Sequence, residues 1–138
     1  RFFRQNMETT YLEYLNSYRL SRIYRDLIAT DLPVGTLAEK HVGVRVINMH
    51  TIKPLDVDAI LKSVGKTKCV VTAEEHQRNG GLGDAVAQVL IQNTPYPQEY
   101  VAVNDSFGES GTPDQLLEKY GLMPKDIIAA VEKVMARK

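Results

Sequence analysis

The sequence predicts an α/β domain with a mostly parallel sheet and helices on both faces. Short apolar, β-branched runs alternate along the chain with segments of helical period. The run Cys69–Thr72 shows no alternation, which suits a central strand covered on both faces. Polar, glycine-bearing turns follow two of the runs, at Glu74–Gly83 and at Asn104–Gly111. In open sheets of this kind, sites form where strands end at their carboxyl edge.

The first 26 residues carry neither a clean helical stripe nor a clean alternation. Tyr11, Leu12, Leu15 and Arg19 fit a helix, while Tyr18, Leu20 and Tyr24 equally fit an edge strand; the segment reads as irregular, with a strand near Arg19–Tyr24. Leu27–Thr30 is a short buried strand stopped by Asp31, Pro33 and Gly35. Val44–Met49 is the second firm strand. A helix follows on Val57, Ile60, Leu61 and Val64, with Asp56 as its cap and Gly65 as its left-handed terminator. Cys69–Thr72 is a central strand, and Glu74 to Asn79 form a polar turn after it. Gly80, Gly81 and Gly83 then make a glycine turn into a helix striped by Leu82, Val86, Val89 and Leu90.

Two prolines bar helix from Thr94–Pro97, and Tyr100–Val103 is a further strand. Thr112-Pro113-Asp114-Gln115 opens a helix with a cap, a first-position proline and a capping-box glutamine; Leu116, Leu117 and Tyr120 face inward, and Gly121 ends it. Pro124 starts the last helix on Ile127, Ile128, Val131, Val134 and Met135. Its basic end, Lys133, Arg137 and Lys138, suits the helix dipole.

The totals narrow the function. The chain of 138 residues is long enough for one domain with a core. Its 17 basic and 17 acidic residues balance, so no nucleic-acid or anionic-membrane footprint stands out. No apolar run approaches the ~18 residues of a membrane span. The single cysteine, Cys69, excludes a disulfide scaffold and reads as buried core filler, in keeping with a cytoplasmic protein. The chain begins at Arg1 without an initiator methionine and looks like a piece of a longer protein.

Glu74-Glu75-His76 admits three readings. A carboxylate beside His76 would raise its pKa and support proton shuttling. A metal site is disfavoured, because three adjacent residues do not converge on one ion. A polar strand end, with one glutamate accepting backbone hydrogen bonds, needs no chemistry at all. Gly81-Leu82-Gly83 before a helix echoes a dinucleotide fingerprint, although Asp84 puts a negative charge there. A tight turn with close helix–sheet packing is the plainer reading. His41 and His50 stand alone as packed or surface residues, and Ser110 lies in no nucleophile elbow.

Three blocks carry a resemblance: V-R-V-I-N-M-H-T-I-K-P-L-D, V-V-T-A-E-E-H-Q-R-N-G-G-L-G-D-A-V and F-G-E-S-G-T-P-D-Q-L-L-E-K-Y-G-L. In order and spacing they resemble the C-terminal domain of transketolase, over about Leu27–Met135. The resemblance implies a three-layer α/β/α fold with a mixed, mostly parallel five-strand sheet whose first strand is antiparallel. It implies a domain over residues 18–138, preceded at 1–17 by the tail of another domain or a linker. R-F-F-R-Q-N resembles the end of a pyrimidine-binding domain, which makes Arg4 the candidate for holding a substrate phosphate; a guanidinium fork suits that role. The chain departs from the family at Asp31, where a glycine is usual, and in the short stretch between Asp31 and Gly43.

The implied activity is transfer of two-carbon ketol units between sugar phosphates, in the pentose phosphate pathway, with thiamine diphosphate and a divalent metal. The cofactor motifs are not among these residues, so the segment alone is expected to be inactive and to bind no cofactor. The remaining transketolase domains or subunit are its expected partners, in a homodimer. Glu74, Glu75, His76 and Arg78, with Gly80, Gly81 and Gly83, are expected to form an interface turn rather than a catalytic or metal site. Two alternatives stay open: a partner-docking domain like that of a 2-oxo acid dehydrogenase β subunit, and a small-molecule regulatory domain.

Overall fold

The computed structural model describes residues 42–138. Arg4, the strands expected near Arg19–Tyr24 and at Leu27–Thr30, and the short stretch after Asp31 as far as His41 lie outside the described residues. The described chain is a mixed α/β unit in which helices enclose a small parallel sheet.

Helix α1, Val57–Thr67, begins where the Asp56 carboxylate accepts the Ala59 amide at 2.9 Å, and it buries Ile60, Ser63 and Val64. The sequence places its end at Gly65, and this is corrected: the helix runs on to Thr67. Lys68 takes the left-handed conformation, φ 63°, with its amide on the Val64 carbonyl at 2.7 Å. A non-glycine residue there costs about 1–2 kcal/mol. The Lys68 ammonium, 3.0 Å from the Tyr96 hydroxyl and 5.2 Å from its ring centroid, offsets part of that.

Strand β1 spans Val70–Gln77, helix α2 Leu82–Asn93 and strand β2 Gln98–Val103. β1 and β2 pair in parallel, from Val70 opposite Gln98 to Ala73 opposite Val101, with an irregularity before Gln77 meets Val103. Two boundaries differ from the sequence reading. Glu74 to Gln77 belong to the strand rather than to a turn, because ladder pairing carries polar residues as readily as apolar ones once one flank is fixed. Cys69 stands just before the strand and is half-buried, not buried.

Strand alternation sorts the layers. Val70 packs with the core of α1 and α2, built on Ile60, Val64, Val86 and Leu90. Glu74 bonds the start of α2. The odd-numbered Ala73 and Val101 face a small void shared with Leu122 and Ile127. Helix α3, Pro113–Lys119, carries the expected capping box between Thr112 and Gln115, and Gly121 ends it at φ 68°. Helix α4, Pro124–Met135, lies against both strands and buries Val134, 1% exposed. The order is α2, sheet, α4: three layers.

Val44–Met49 is the clearest departure. No strand forms there among the described residues, and Val44, Val46 and Ile47 are exposed, though Met49 packs against the core. Strand preference measures fit to a pleated, half-buried surface, so a β-branched run without a described ladder partner stays out of the sheet.

Candidate functional site

The carboxyl edge of the sheet carries the predicted turn, and it is built from within. β1 delivers the Glu74 side chain to the face that α2 covers. Its carboxylate accepts the Leu82 amide at 2.6 Å and the Gly83 amide at 2.8 Å. These are orphan donors at the start of α2, the position where a bound anion would sit. Glu74 is therefore the polar strand end that accepts backbone hydrogen bonds. Asp84 folds back instead of facing the turn mouth, taking the Gly80 amide at 2.6 Å.

Each glycine of the turn has its own reason. Gly80 sits at φ 80°, a conformation that disfavours any side chain. A Cβ at Gly81 would overlap the Glu74 carboxylate, and one at Gly83 would overlap the Tyr100 ring. Close backbone approach, rather than phosphate cradling, explains the two latter glycines. The diphosphate of a cofactor does not fit here, since the amides that would receive it already hold a carboxylate.

Glu75 and His76 are exposed. His76 Nδ1 lies 2.8 Å from the Gln77 carbonyl oxygen, and neither a hydrogen bond nor an ion pair joins it to Glu74. Glu74 and Glu75 leave β1 on opposite faces, and among the described residues no three metal-ligating side chains converge. Arg78 stacks its guanidinium 4.7 Å from the Tyr100 ring centroid, while its amide bonds the Val103 carbonyl at 2.8 Å. Burial, reinforced by the charge of Asp84, pushes the Tyr100 phenol above its usual range; Arg78 pulls the other way.

The structure ties a second loop to this turn, which the sequence reading did not combine with it. Gln77 Nε2 donates to the Ser106 carbonyl at 2.6 Å. The loop 104–111 is exposed throughout, and Phe107 is 97% exposed. A phenylalanine inside N-D-S-F-G-E-S-G was the available signal, an apolar ring where the loop has no helical or strand period to bury it. A groove of about 820 Å³ runs along β2, lined among others by Tyr96, Tyr100, Tyr120, Glu99 and Lys133.

Comparison with known proteins supplies the family. The model of the transketolase C-terminal domain matches residues 34–127. The chain belongs to the transketolase C-terminal domain family. It is 48% identical over 107 residues to a 6-deoxy-6-sulfo-D-fructose transketolase subunit of Clostridium sp. (strain MSTE9), covering 78% of this chain and 33% of that one. It is 38% identical over 105 residues to 1-deoxy-D-xylulose-5-phosphate synthase 1 of Geobacter sulfurreducens, covering 75% and 16%. A solved structure described as a split gene transketolase, inactive beta4 tetramer, superposes with a TM-score of 0.72 at 47% identity, covering 75% of this chain and 34% of that one. The transketolase C-terminal domain seen here thus spans about a third of the two transketolase chains.

Proposed function

We propose that this chain is the C-terminal part of a thiamine diphosphate-dependent transketolase that moves two-carbon ketol units between sugar phosphates, and that its share of the work is assembly. The observation that carries the reading is the turn after β1. The backbone amides of Gly80, Leu82 and Gly83 are satisfied from the inside by Asp84 and Glu74, while His76 at the end of β1 and Arg78 and Asn79 in the turn stand exposed at the carboxyl edge of the sheet. A rigid, polar, outward-facing turn suits docking against a neighbouring domain or subunit. The similar solved protein is described as a tetramer, which supports assembly through partner subunits. In this reading the cofactor and its metal are held outside the described residues, and Arg4 binds the substrate phosphate.

The test is made on the whole enzyme that contains this segment. His76→Ala and Glu75→Gln should shift the concentration at which activity is half-maximal upward, leaving single-turnover rates at saturating protein unchanged. Truncating one side of a desolvated charged contact weakens association by about 2–5 kcal/mol. A hundredfold slower single turnover in an intact His76→Ala assembly would make His76 catalytic and sink the reading.

A further inference from the structure

We infer that Phe107 is the anchoring residue of the docking surface, inserted into an apolar pocket on the polypeptide that completes the enzyme; this rests on the assembly reading above. The ring is 97% exposed, the highest value among the exposed large hydrophobic residues of the described chain. The backbone beneath it is held firmly. Ser106 offers its carbonyl to Gln77 at 2.6 Å, and Phe107 offers its own to the Tyr120 hydroxyl at 3.0 Å. The Asp105 amide bonds the Val103 carbonyl at 3.1 Å, with Asp105 in the left-handed region at φ 48°. Farther along, Glu109 pairs with Lys119 at 2.5 Å.

An aromatic ring displayed on a loop tied at several points has little freedom left to lose on binding. That combination marks an interface hot spot, where one truncation removes a large share of the affinity. A phenylalanine bound in a pocket desolvates its whole face, on the order of 150–250 Å².

The partner is chosen by three observations. About two-thirds of the similar transketolase subunit, and of the similar solved chain, lies outside the span matched here, so a large body of protein remains to be met. The loop is continuous with the docking turn through the Gln77–Ser106 bond. Within 104–111 the charged residues are Asp105 and Glu109, both acidic; Lys119 pairs with Glu109, which leaves the Asp105 charge close to the ring. Two copies meeting loop to loop would set acid against acid around the paired rings, which disfavours a second copy of this chain as the occupant. An apolar pocket rimmed by cations or amide donors, on the thiamine-binding portion, is what the loop complements.

The experiment uses the reconstituted whole enzyme, followed by sedimentation and by activity against protein concentration. Phe107→Ala should raise the concentration of half-assembly by at least about tenfold, with Phe107→Leu in between. Both variants should keep the wild-type unfolding midpoint, because the ring buries almost nothing within the chain. Wild-type assembly of Phe107→Ala would overturn the inference, and so would a clear loss of unfolding stability, which would make the ring a packing residue. Self-association of the 138-residue chain that disappears in Phe107→Ala would overturn it in favour of a second copy. If His76→Ala weakens assembly while Phe107→Ala does not, the anchor is wrong and the docking reading stands. If neither weakens it, both fall.

Discussion

Two loops leave the same edge of the sheet and solve opposite problems. The turn from Arg78 to Gly81 sits over the start of α2, where free amides must find partners, and every device in it points inward: Glu74 on two amides, Asp84 on a third. The loop 104–111 caps a strand whose ladder is already complete at Val103, so it has few backbone groups to bury and turns its ring outward. A loop's composition therefore says less than the element it must terminate. Glutamates and glycines that look like a site in sequence are consumed by helix closure, and a phenylalanine in a polar loop is left in water.

Glu74→Ala breaks the comparison most severely. It leaves two part-buried amides at the start of α2 without an acceptor, and each unsatisfied group costs about 1–3 kcal/mol. A loss of about 3 kcal/mol in urea unfolding is expected, and Glu74→Gln, which keeps one carbonyl oxygen in place, should lose about half of that. Equal stability of the alanine variant and the wild type would mean that the turn does not depend on its internal anion.

Glycine substitutions sharpen the contrast between the start of α2 beneath the turn and the loop 104–111. At Gly83 a methyl group lands on the Tyr100 ring, which also carries the stacked Arg78 guanidinium. Gly83→Ala should cost about 2 kcal/mol as an overpacked site. Gly108, beside Phe107, has nothing within 4 Å of where a Cβ would stand. Gly108→Ala should change stability by less than about 0.5 kcal/mol. A pair of thermal melts distinguishes them, and similar losses at both positions would undo the claim that the start of α2 is packed and the loop 104–111 is not.

Much of this was readable in the sequence because it depends on neighbours along the chain. The Asp56 cap, the Thr112–Gln115 box, the stripe of Val86 and Leu90, and the stop at Gly121 are local devices, and they stand where the residues put them. What escaped is set by long-range partners. α1 ends at a left-handed Lys68, whose ammonium meets Tyr96, 28 residues on. β1 swallowed Glu74–Gln77 because β2 extends beside it, and Val44–Met49 stayed out of the sheet despite ideal composition. The Arg78–Tyr100 stack and the Gln77–Ser106 tie likewise join positions that no periodicity relates. In the site, the plainest reading of Glu74 is the one the geometry shows. Its partners, eight and nine residues downstream, had to be found by folding.

A further small effect lies on the opposite face, where Glu99 tests whether charge stabilises the edge of β2. Its side chain is 13% exposed and meets Lys133 Nζ at 2.9 Å and Arg137 Nη1 on its other oxygen. Arg137 also donates to the Gln98 carbonyl at 3.2 Å, covering part of the outer strand edge. The Lys133 hydrogen bond, with help from Arg137, holds the Glu99 carboxyl below its usual range, against the opposing push of burial. A carboxyl with a lowered folded-state pKa contributes stability above its unfolded value of about 4.3, and that contribution is lost as pH falls through the folded value. Lys133 and Arg137 are 69% and 53% exposed, so water and salt screen the pair and its worth stays below about 1 kcal/mol. Glu99→Gln should therefore be slightly less stable than wild type near neutral pH. The difference should shrink towards zero as the solution is acidified below the ordinary carboxylate range, and at neutral pH it should shrink with added salt. A gap that widens on acidification would show that Glu99 is tolerated at the sheet edge rather than stabilised there, and that Arg137 guards the strand through the Gln98 carbonyl alone.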